Sequence, residues 1–189
     1  MGYALKYPEI EAKRYTYTDY AKWDDDNRWE LIDGVPYMMA APSVLHQSAS
    51  MSIASQLYTF LRGRNCKVFH APFDVRLGSR FLDNTVVQPD ILVVCDKSKL
   101  DKAGLVGAPD MAVEILSPSS GYHDSIRKYN LYKKAGVREY WIVEPESKTV
   151  VVNVLKDGKY VRTDYEAPDA VPVSVLEGCV VDLGEVFET

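Results

Sequence analysis

The chain has 189 residues, 47% of them hydrophobic, and a formal net charge of -5 at pH 7. This length allows one substantial hydrophobic core and only marginally two, so the sequence predicts a single domain over residues 1–189. The negative charge excludes binding to a polyanion through the overall field of the molecule, although a local basic strip beside a metal site would still bind one.

The three cysteines, Cys66, Cys95 and Cys179, lie far apart and match neither a zinc site nor a disulfide framework. We therefore expect reduced thiols and a cytoplasmic protein. The amino terminus has no basic stretch that leads into an apolar run, and no window of the sequence approaches the length of a membrane span. We expect neither export nor a membrane partner.

The chain begins with a predicted peripheral arm over residues 1–28, in which Thr18 could cap a short helix. A hairpin follows, because Asp33-Gly34 separates two apolar runs, and Pro36 places the return strand at a sheet edge or makes its start irregular. The sequence therefore predicts a β-hairpin immediately after the arm.

Two apolar runs predict the centre of a sheet. They follow a predicted helix of about five turns that ends at Gly63 and two short predicted strands. The runs are residues 86–95 and 111–116, and each is apolar at both alternating positions. This pattern is typical of strands covered on both faces. A second helix is predicted over residues 124–135.

The last third of the chain is rich in strand signals, and a short tail over residues 166–189 is expected to pack on the domain. The predicted strands lie at residues 139–143, 149–155 and 160–165, with weaker signals at 173–176 and 180–183. The sequence as a whole predicts an α/β (α+β) fold with a mixed β-sheet flanked by helices and a β-rich C-terminal part.

Two carboxylates lie in apolar sequence, where an unpaired charge is costly. Asp90 follows Pro89 in the first apolar run, and Glu114 lies in the middle of the second. Buried carboxylates are paired or bound to metal. The alternative for Asp90 is a solvated residue in a strand-opening turn, and the alternative for Glu114 is a buried salt bridge. From adjacent strands, both could reach one divalent ion.

The helix after Glu114 supplies a third candidate, Lys128. At about 100° per residue, Lys128 shares one arc of this helix with Asp124 and Tyr132. In one alternative its stem covers the core while its ammonium reaches water, and in another it forms an ion pair with Asp124. The joint occurrence of Lys128 with the two carboxylates favours a functional role.

The histidines do not extend this set. His46 lies beside the apolar stripe of the long helix, where a core or surface histidine is the more frequent explanation. His70 and His123 do not have the spacing of zinc ligands. We therefore leave all three outside the predicted site.

The order of these residues resembles the PD-(D/E)XK restriction-endonuclease-like superfamily. More narrowly, four motifs in order are similar to those of the Uma family of restriction endonucleases, over about residues 18–160. The motifs are Glu30-Leu31-Ile32-Asp33-Gly34, Gln88-Pro89-Asp90, Glu114-Ile115-Leu116-Ser117-Pro118-Ser119, and the segment from Lys128 to Val143.

The resemblance implies a metal site. In it, Asp90 and Glu114 hold the ion together with the backbone carbonyl of Ile115, and Glu30 is an outer ligand or positions a water molecule. The expected cofactor is Mg²⁺, with Mn²⁺ as a substitute, because hard cations prefer oxygen ligands.

The sequence departs from the superfamily pattern at Leu116, where a lysine is expected two residues after Glu114. The resemblance implies that Lys128 supplies the amine from the helix instead. The ion would polarise the scissile phosphate and acidify a bound water, and Lys128 would orient or deprotonate that water.

The expected function is therefore a Mg²⁺-dependent endonuclease that hydrolyses phosphodiester bonds in DNA. A homodimer would suit this function, because two sites cut two strands more readily than one. Two alternatives stay open: a non-catalytic protein of the same fold that binds nucleic acid or a partner, and a metal phosphodiesterase that acts on RNA or nucleotides.

Overall fold

A computed structural model of the protein describes residues 13–78, 83–117 and 122–188. The helices in these ranges are α1 (Tyr17–Tyr20), α2 (Val44–Leu61), α3 (Tyr122–Ala135) and α4 (Leu183–Val186), with a 3₁₀ turn at Lys97–Lys99. The strands are β1 (Trp29–Ile32), β2 (Val35–Met38), β3 (Lys67–His70), β4 (Val75–Arg76), β5 (Val86–Val87), β6 (Ile91–Val94), β7 (Leu100–Asp101), β8 (Gly104–Val106), β9 (Met111–Ile115), β10 (Glu139–Glu144), β11 (Thr149–Lys156), β12 (Lys159–Glu166), β13 (Ala170–Pro172) and β14 (Val180–Asp182).

The described strands form two six-stranded mixed sheets and one two-stranded sheet. The first sheet has the order β2-β1-β5-β4-β8-β7, and the second has the order β12-β11-β10-β9-β6-β3. In the second sheet β9 is parallel to β10 and antiparallel to β6, which places β9 in the interior. The expected α+β fold with a mixed sheet and helices is confirmed, although the strands divide into two sheets.

Two hydrophobic clusters hold these layers together. One joins α2 and the C-terminal tail to one face of the second sheet, with Ile53, Val113 and Val181 among its buried members. The other contains Val87 of the first sheet and Leu92 of the second, and Tyr132 of α3 packs there too. Both faces of the second sheet are therefore covered, which explains the two-sided apolar sequence of β9.

The hairpin predicted at Asp33-Gly34 is confirmed. β1 and β2 pair antiparallel, and the two turn residues have positive φ angles of 49° and 78°. Two positive φ values in succession suit a two-residue hairpin turn, and Asp followed by Gly is a sequence that tolerates them. β2 is the edge strand, as Pro36 predicts, so the missing N–H of proline leaves no ladder bond broken in the sheet interior.

The long helix is confirmed as α2, an 18-residue helix whose N-cap is Ser43. The Ser43 hydroxyl accepts a hydrogen bond from the backbone N–H of His46 at 3.2 Å, which satisfies one of the unpaired donors of the first turn. The apolar stripe faces the second sheet. The second predicted helix is confirmed as α3, which begins two residues earlier than predicted, and Gly136 follows it with a φ of 83°.

The prediction of one continuous strand over residues 86–95 is wrong. The chain forms β5 in the first sheet and β6 in the second, and Gln88-Pro89-Asp90 crosses between them. Pro89 cannot donate a ladder hydrogen bond, and the apolar sequence on both sides of it is buried in two different sheets. Asp90 therefore lies at the start of β6 and not within a strand.

Three smaller predictions also need correction. The cap of the first short helix is Thr16 and not Thr18. The connection between β6 and β9 contains the small hairpin of β7 and β8, whose strands are too short to give a sequence signal. In the tail, residues 173–176 form a turn, while the signal at 180–183 corresponds to β14 and the start of α4.

The expectation of three reduced thiols is wrong in this structure. Cys66 and Cys95 form a disulfide between positions next to the paired strands β3 and β6, and Cys179 is free and buried. The pairing could not be recognised from a sequence separation of 29 residues. The cytoplasmic location stays a prediction.

Some expectations concern residues outside the described ranges. They are the first twelve residues of the predicted N-terminal arm and residues 118 and 119 of the third motif. Among the helices that the structure does describe, none is long and apolar enough to cross a bilayer.

Candidate active site

A cavity of about 400 Å³ opens where the two sheets, α2 and α3 meet. All five residues predicted from the sequence line it. They come from four different parts of the chain and are Glu30, Asp90, Glu114, Ile115 and Lys128. The fold therefore brings the predicted site residues to one place.

Lys128 of α3 is the centre of the cluster. Its Nζ atom lies 2.9 Å from Oε2 of Glu114 and 3.0 Å from Oε1 of Glu30. The lysine side chain is 5% exposed, so its ammonium does not reach bulk water as the alternative supposed. The alternative ion pair between Lys128 and Asp124 stays a prediction, because the side chain of Asp124 is outside the part of the chain that the structure describes. Lys128 thus bridges a carboxylate of the first sheet and one of the second.

Glu114 of β9 is held by two residues that lie one turn apart on α3. The hydroxyl of Tyr132 donates to Oε1 of Glu114 at 2.6 Å, while Lys128 contacts Oε2. Burial raises the pKa of Glu114 to about 8, and the charges of Asp90 and Glu30 add to this rise. Lys128 and Tyr132 oppose the rise without cancelling it, because desolvation is the largest contribution.

Asp90 reaches the cluster from the crossover before β6. Its Oδ2 atom accepts a hydrogen bond from the backbone N–H of Ile115 at 2.7 Å and lies 3.2 Å from Nε2 of His46. No described residue donates to the other oxygen, Oδ1. The pairing of β6 with β9 ends at Val113, two residues before Ile115. The side chain of Asp90 therefore accepts the hydrogen bond that a backbone carbonyl of the neighbouring strand would accept if the pairing continued.

Glu30 of β1 is fixed through the same crossover. Its Oε1 atom accepts the backbone N–H of Gln88 at 2.9 Å as well as the bond from Lys128. The Gln88 side chain in turn contacts Asp74 at 2.9 Å and Arg28 at 2.8 Å. Glu30 is therefore oriented by a hydrogen-bond network that extends away from the cavity.

Two residues of the cluster were not in the predicted site. Tyr132 shares the helical arc of Lys128, and that spacing of four residues was the signal that could have identified it. His46 was considered and left out, although it lines the cavity and contacts Asp90. Its sequence position carried no signal, because the contact depends on how α2 packs against the crossover.

The donor chemistry of the cavity fits a hard divalent cation. Within the described residues, no three histidine, cysteine, aspartate or glutamate side chains form a metal-binding group by themselves. Asp90 and Glu114 supply carboxylates, and the carbonyl of Ile115 points to the same side of β9 as its N–H, which contacts Asp90. Mg²⁺ is commonly held by one or two carboxylates with water completing its octahedron, so these residue types match its preferred ligands.

Two arginines line the same cavity as the carboxylates. Arg28 and Arg127 both line the cavity, and the guanidinium of Arg127 lies over the ring of Tyr37 at 4.1 Å from its centroid. With Lys128 they are the three lysine and arginine side chains among the described residues of the lining. The carboxylates Glu30, Asp90 and Glu114 line the same cavity, so its formal charges balance.

The two mixed sheets, the flanking helices and the Asp90, Glu114 and Lys128 cluster define a restriction-endonuclease-like protein. The sequence profile of the Uma2 family, described as "putative restriction endonuclease", matches residues 17–184. The chain belongs to the Uma2 family.

Two other proteins are similar to this chain over most of its length. The uncharacterized protein slr1290 of Synechocystis sp. is 24% identical over 173 residues, which is 89% of this chain and 90% of the relative. A crystal structure of a "putative nuclease belonging to DUF820" from Anabaena variabilis superposes with a TM-score of 0.75 at 20% identity. That match covers 92% of this chain and 98% of the other, and it supports the fold.

Proposed function

We propose that the chain is a single-domain endonuclease that uses Mg²⁺, or Mn²⁺ in its place, to hydrolyse phosphodiester bonds in DNA. The observation that carries the proposal is the position of Lys128, 2.9 Å from Glu114 and 3.0 Å from Glu30 in the cavity that Asp90 also lines. Membership of the Uma2 family supports the same class of activity.

The residues that would hold the cation are Asp90, Glu114 and the carbonyl of Ile115, with Glu30 as an outer ligand or a partner for water. When bound, the cation would supply a Lewis acid that polarises a phosphoryl oxygen and acidifies a coordinated water. Asp90 can use Oδ1 for this purpose, because its contacts with Ile115 and His46 both involve Oδ2. Glu30 likewise accepts its described bonds through one oxygen, Oε1.

The chain's own residues provide the rest of the chemistry. The ammonium of Lys128 donates hydrogen bonds and offsets negative charge that develops on the phosphate in the transition state. Its position between two carboxylates keeps it oriented. Tyr132 fixes Glu114 by its hydroxyl, so the carboxylate keeps its rotamer as substrate enters. Lys128 therefore takes the role that a lysine at position 116 would have in the superfamily pattern.

DNA is the substrate that the cavity wall supports. Arg28 and Arg127 line the cleft, and arginine binds phosphate oxygens in a bidentate manner. Tyr37 lines it too and would stack on a base with the ring face that Arg127 does not cover. These contacts would hold the backbone of the substrate without requiring a positive net charge.

A non-catalytic protein of the same fold is the rival candidate, and one observation favours it. Lys128 already pairs with both Glu30 and Glu114, so the three side chains form a buried ion-pair network. Such networks also occur for structural reasons. If the rival is correct, substitution of the carboxylates changes the stability of the protein. Neither the wild type nor any of the variants then binds metal.

We also propose that two copies associate through the outer face of α2. Val44, Met51 and Tyr58 are spaced seven residues apart on this helix and are 85%, 65% and 63% exposed. Residues 44–61 contain no aspartate, glutamate, lysine or arginine, in a chain that is 26% charged. An uncharged apolar stripe is self-complementary when a two-fold axis passes near its middle residue, Met51.

The test of the main proposal is calorimetric titration with Mn²⁺ and Mg²⁺, beside cleavage of supercoiled plasmid DNA. Asp90→Asn removes one ligand charge, and we expect it to weaken metal binding and to abolish cleavage. Asp164→Asn is the matched control, because Asp164 is an exposed carboxylate on β12 that pairs with Arg162. It should leave both measurements unchanged.

The outcomes separate the candidates. Metal binding that is lost in Asp90→Asn and retained in Asp164→Asn supports the nuclease. If the wild-type protein binds neither cation and cuts neither plasmid nor single-stranded DNA, the non-catalytic candidate is correct. Cleavage of RNA or nucleotides in place of DNA would support the proposed site but show that DNA is not its substrate.

A further inference from the structure

We propose that His46 is a positioning residue that holds the Asp90 carboxylate in the orientation needed for metal binding. This inference rests on the proposed function and deepens it, because it adds a helix α2 residue to a site built from the two sheets and α3. Its basis is the 3.2 Å contact between Nε2 of His46 and Oδ2 of Asp90.

The hydrogen bond from Ile115 and the polar contact with His46 involve the same oxygen of Asp90. The backbone N–H of Ile115 and Nε2 of His46 both contact Oδ2, from a strand on one side and a helix on the other. In this proposal Nε2 carries the ring hydrogen and faces the carboxylate, which is a hydrogen-bond acceptor. Because Ile115 and His46 both contact Oδ2, we assign Oδ1 to the cation.

Asp90 needs such support because of where it lies. It sits in the crossover between β5 and β6, where its carbonyl accepts a hydrogen bond from Ala71 but no regular ladder holds its side chain. Ligands of a metal site are usually fixed by hydrogen bonds from neighbouring residues, which maintain their orientation. His46 supplies the contact that comes from a side chain, and Ile115 supplies the one that comes from the backbone.

The contact with Asp90 explains why a histidine occupies position 46. The imidazole is 11% exposed, and its Nδ1 atom is buried without a hydrogen-bond partner among the described residues. The first turn of α2 uses only the backbone of His46, through Ser43. A buried polar atom without a partner is unfavourable, so a purely structural residue at this position would be apolar.

The experiment compares two amide substitutions by Mn²⁺ calorimetry. The side-chain nitrogen of glutamine reaches about as far as Nε2, so His46→Gln keeps a donor beside Asp90. The nitrogen of asparagine reaches only as far as Nδ1, so His46→Asn does not. We expect the Mn²⁺ dissociation constant to rise by about 10- to 100-fold in His46→Asn, the usual effect of losing a residue that orients a ligand, and to stay near the wild-type value in His46→Gln.

His70 provides the matched control. It lines the same cavity, but its Nδ1 contacts the backbone carbonyl of Ala71 and not a carboxylate. His70→Asn should bind Mn²⁺ like the wild type. Thermal unfolding checks that each variant folds, and His46→Ala replaces His46→Asn if the latter does not, because alanine favours the helix.

A second measurement distinguishes positioning from a general loss of structure. In the plasmid assay, His46→Asn should need more Mn²⁺ for half-maximal cleavage, while its kcat at saturating Mn²⁺ approaches that of the wild type. A structural defect would instead lower kcat at every metal concentration.

The results that overturn the inference are distinct from those that overturn the proposed function. If the wild type binds Mn²⁺ and His46→Asn binds it equally well, His46 does not position Asp90 and the nuclease proposal stands. Equal weakening in His46→Gln and His46→Asn shows that the hydrogen bond is not the cause. Absence of Mn²⁺ binding in the wild type removes both proposals together.

Discussion

Lys128 and Glu114 form an ion pair of 2.9 Å although a strand-to-helix connection separates them, and Tyr132 completes the contact from one turn further along α3. The pair lies in the interior, where removal of one partner leaves a charge without compensation. The same contact therefore determines both the stability of the fold and the electrostatics of the cavity.

Lys128→Met should destabilise the protein strongly. It removes the cation that separates the buried Glu30 and Glu114, and loss of one member of a buried ion pair costs about 3–5 kcal/mol. Chemical denaturation monitored by circular dichroism measures the free energy of unfolding. Lys134→Met, at an exposed position of the same helix, should change it by less than about 0.5 kcal/mol.

A double variant tests whether charge is the cause. In Lys128→Met with Glu114→Gln, one of the two facing carboxylates is neutral, so part of the lost stability should return. A double variant no more stable than Lys128→Met would show that packing of the lysine stem, and not its charge, carries the effect.

Tyr132→Phe should lower the free energy of unfolding by about 1–3 kcal/mol, since it leaves Oε1 of the buried Glu114 without its donor. Tyr58→Phe is the control, because Tyr58 is exposed on α2 and its hydroxyl remains in water. Equal stability of the two variants in urea denaturation would contradict the role given to the Tyr132 hydroxyl.

Glu139 should make stability depend on pH. It is fully buried on β10 and accepts hydrogen bonds at 2.8 Å from Nε1 of Trp141 and from the N–H of Val175. Burial raises the pKa of Glu139 above its ordinary value of 4.5, although these donors oppose the rise. The folded protein then retains a proton that the unfolded chain releases, so this stabilisation is complete below pH 4.5 and is lost as the pH rises through the raised pKa.

Glu139→Gln removes this titration and keeps an oxygen acceptor for Trp141. Denaturation series between about pH 5 and pH 8 should show a steeper fall in stability for the wild type than for the variant. Glu144→Gln, at the exposed end of the same strand, should keep the wild-type slope. Parallel curves for wild type and Glu139→Gln would exclude a raised pKa at Glu139.

Met51→Lys should dissociate the proposed dimer, because it places two like charges near the two-fold axis. Light scattering coupled to size exclusion gives the molar mass, and Val161→Lys, at an exposed apolar position of β12, is the control. Met51→Cys should also form a disulfide between two copies under mild oxidation. A wild-type protein that is monomeric at all concentrations, or a dimer insensitive to Met51→Lys, rules out this surface.

Local sequence signals predicted much of the fold. The hairpin at Asp33-Gly34 depends on the backbone preferences of two residues, and the helices predicted up to Gly63 and over residues 124–135 depend on local apolar spacing, so all three are visible in the sequence. The interruption between β5 and β6 at Pro89 was not predicted, because the sequence on both sides of Pro89 is apolar. Which sheet buries an apolar residue is a long-range property, and periodicity does not report it.

The site was recognised from the same kind of signal, in part. Glu114 and Lys128 stand out because a charge in an apolar stretch needs a partner. The partner itself could not be derived from composition or spacing, since Lys128 contacts Glu30 across 98 positions of the chain. His46 shows the limit most clearly, because a histidine on a helix acquires its neighbour only when that helix packs.

The crossover at Gln88-Pro89-Asp90 has a consequence for how such a protein can diverge. The backbone of Gln88 holds Glu30 of the first sheet, and the side chain of Asp90 holds the strand of Glu114 in the second. The distance between the two sheets therefore sets the distances among Glu30, Asp90 and Glu114. A relative that repacks the apolar layer between the sheets would change these distances at the same time, so we expect substitutions in that layer to occur as compensating pairs.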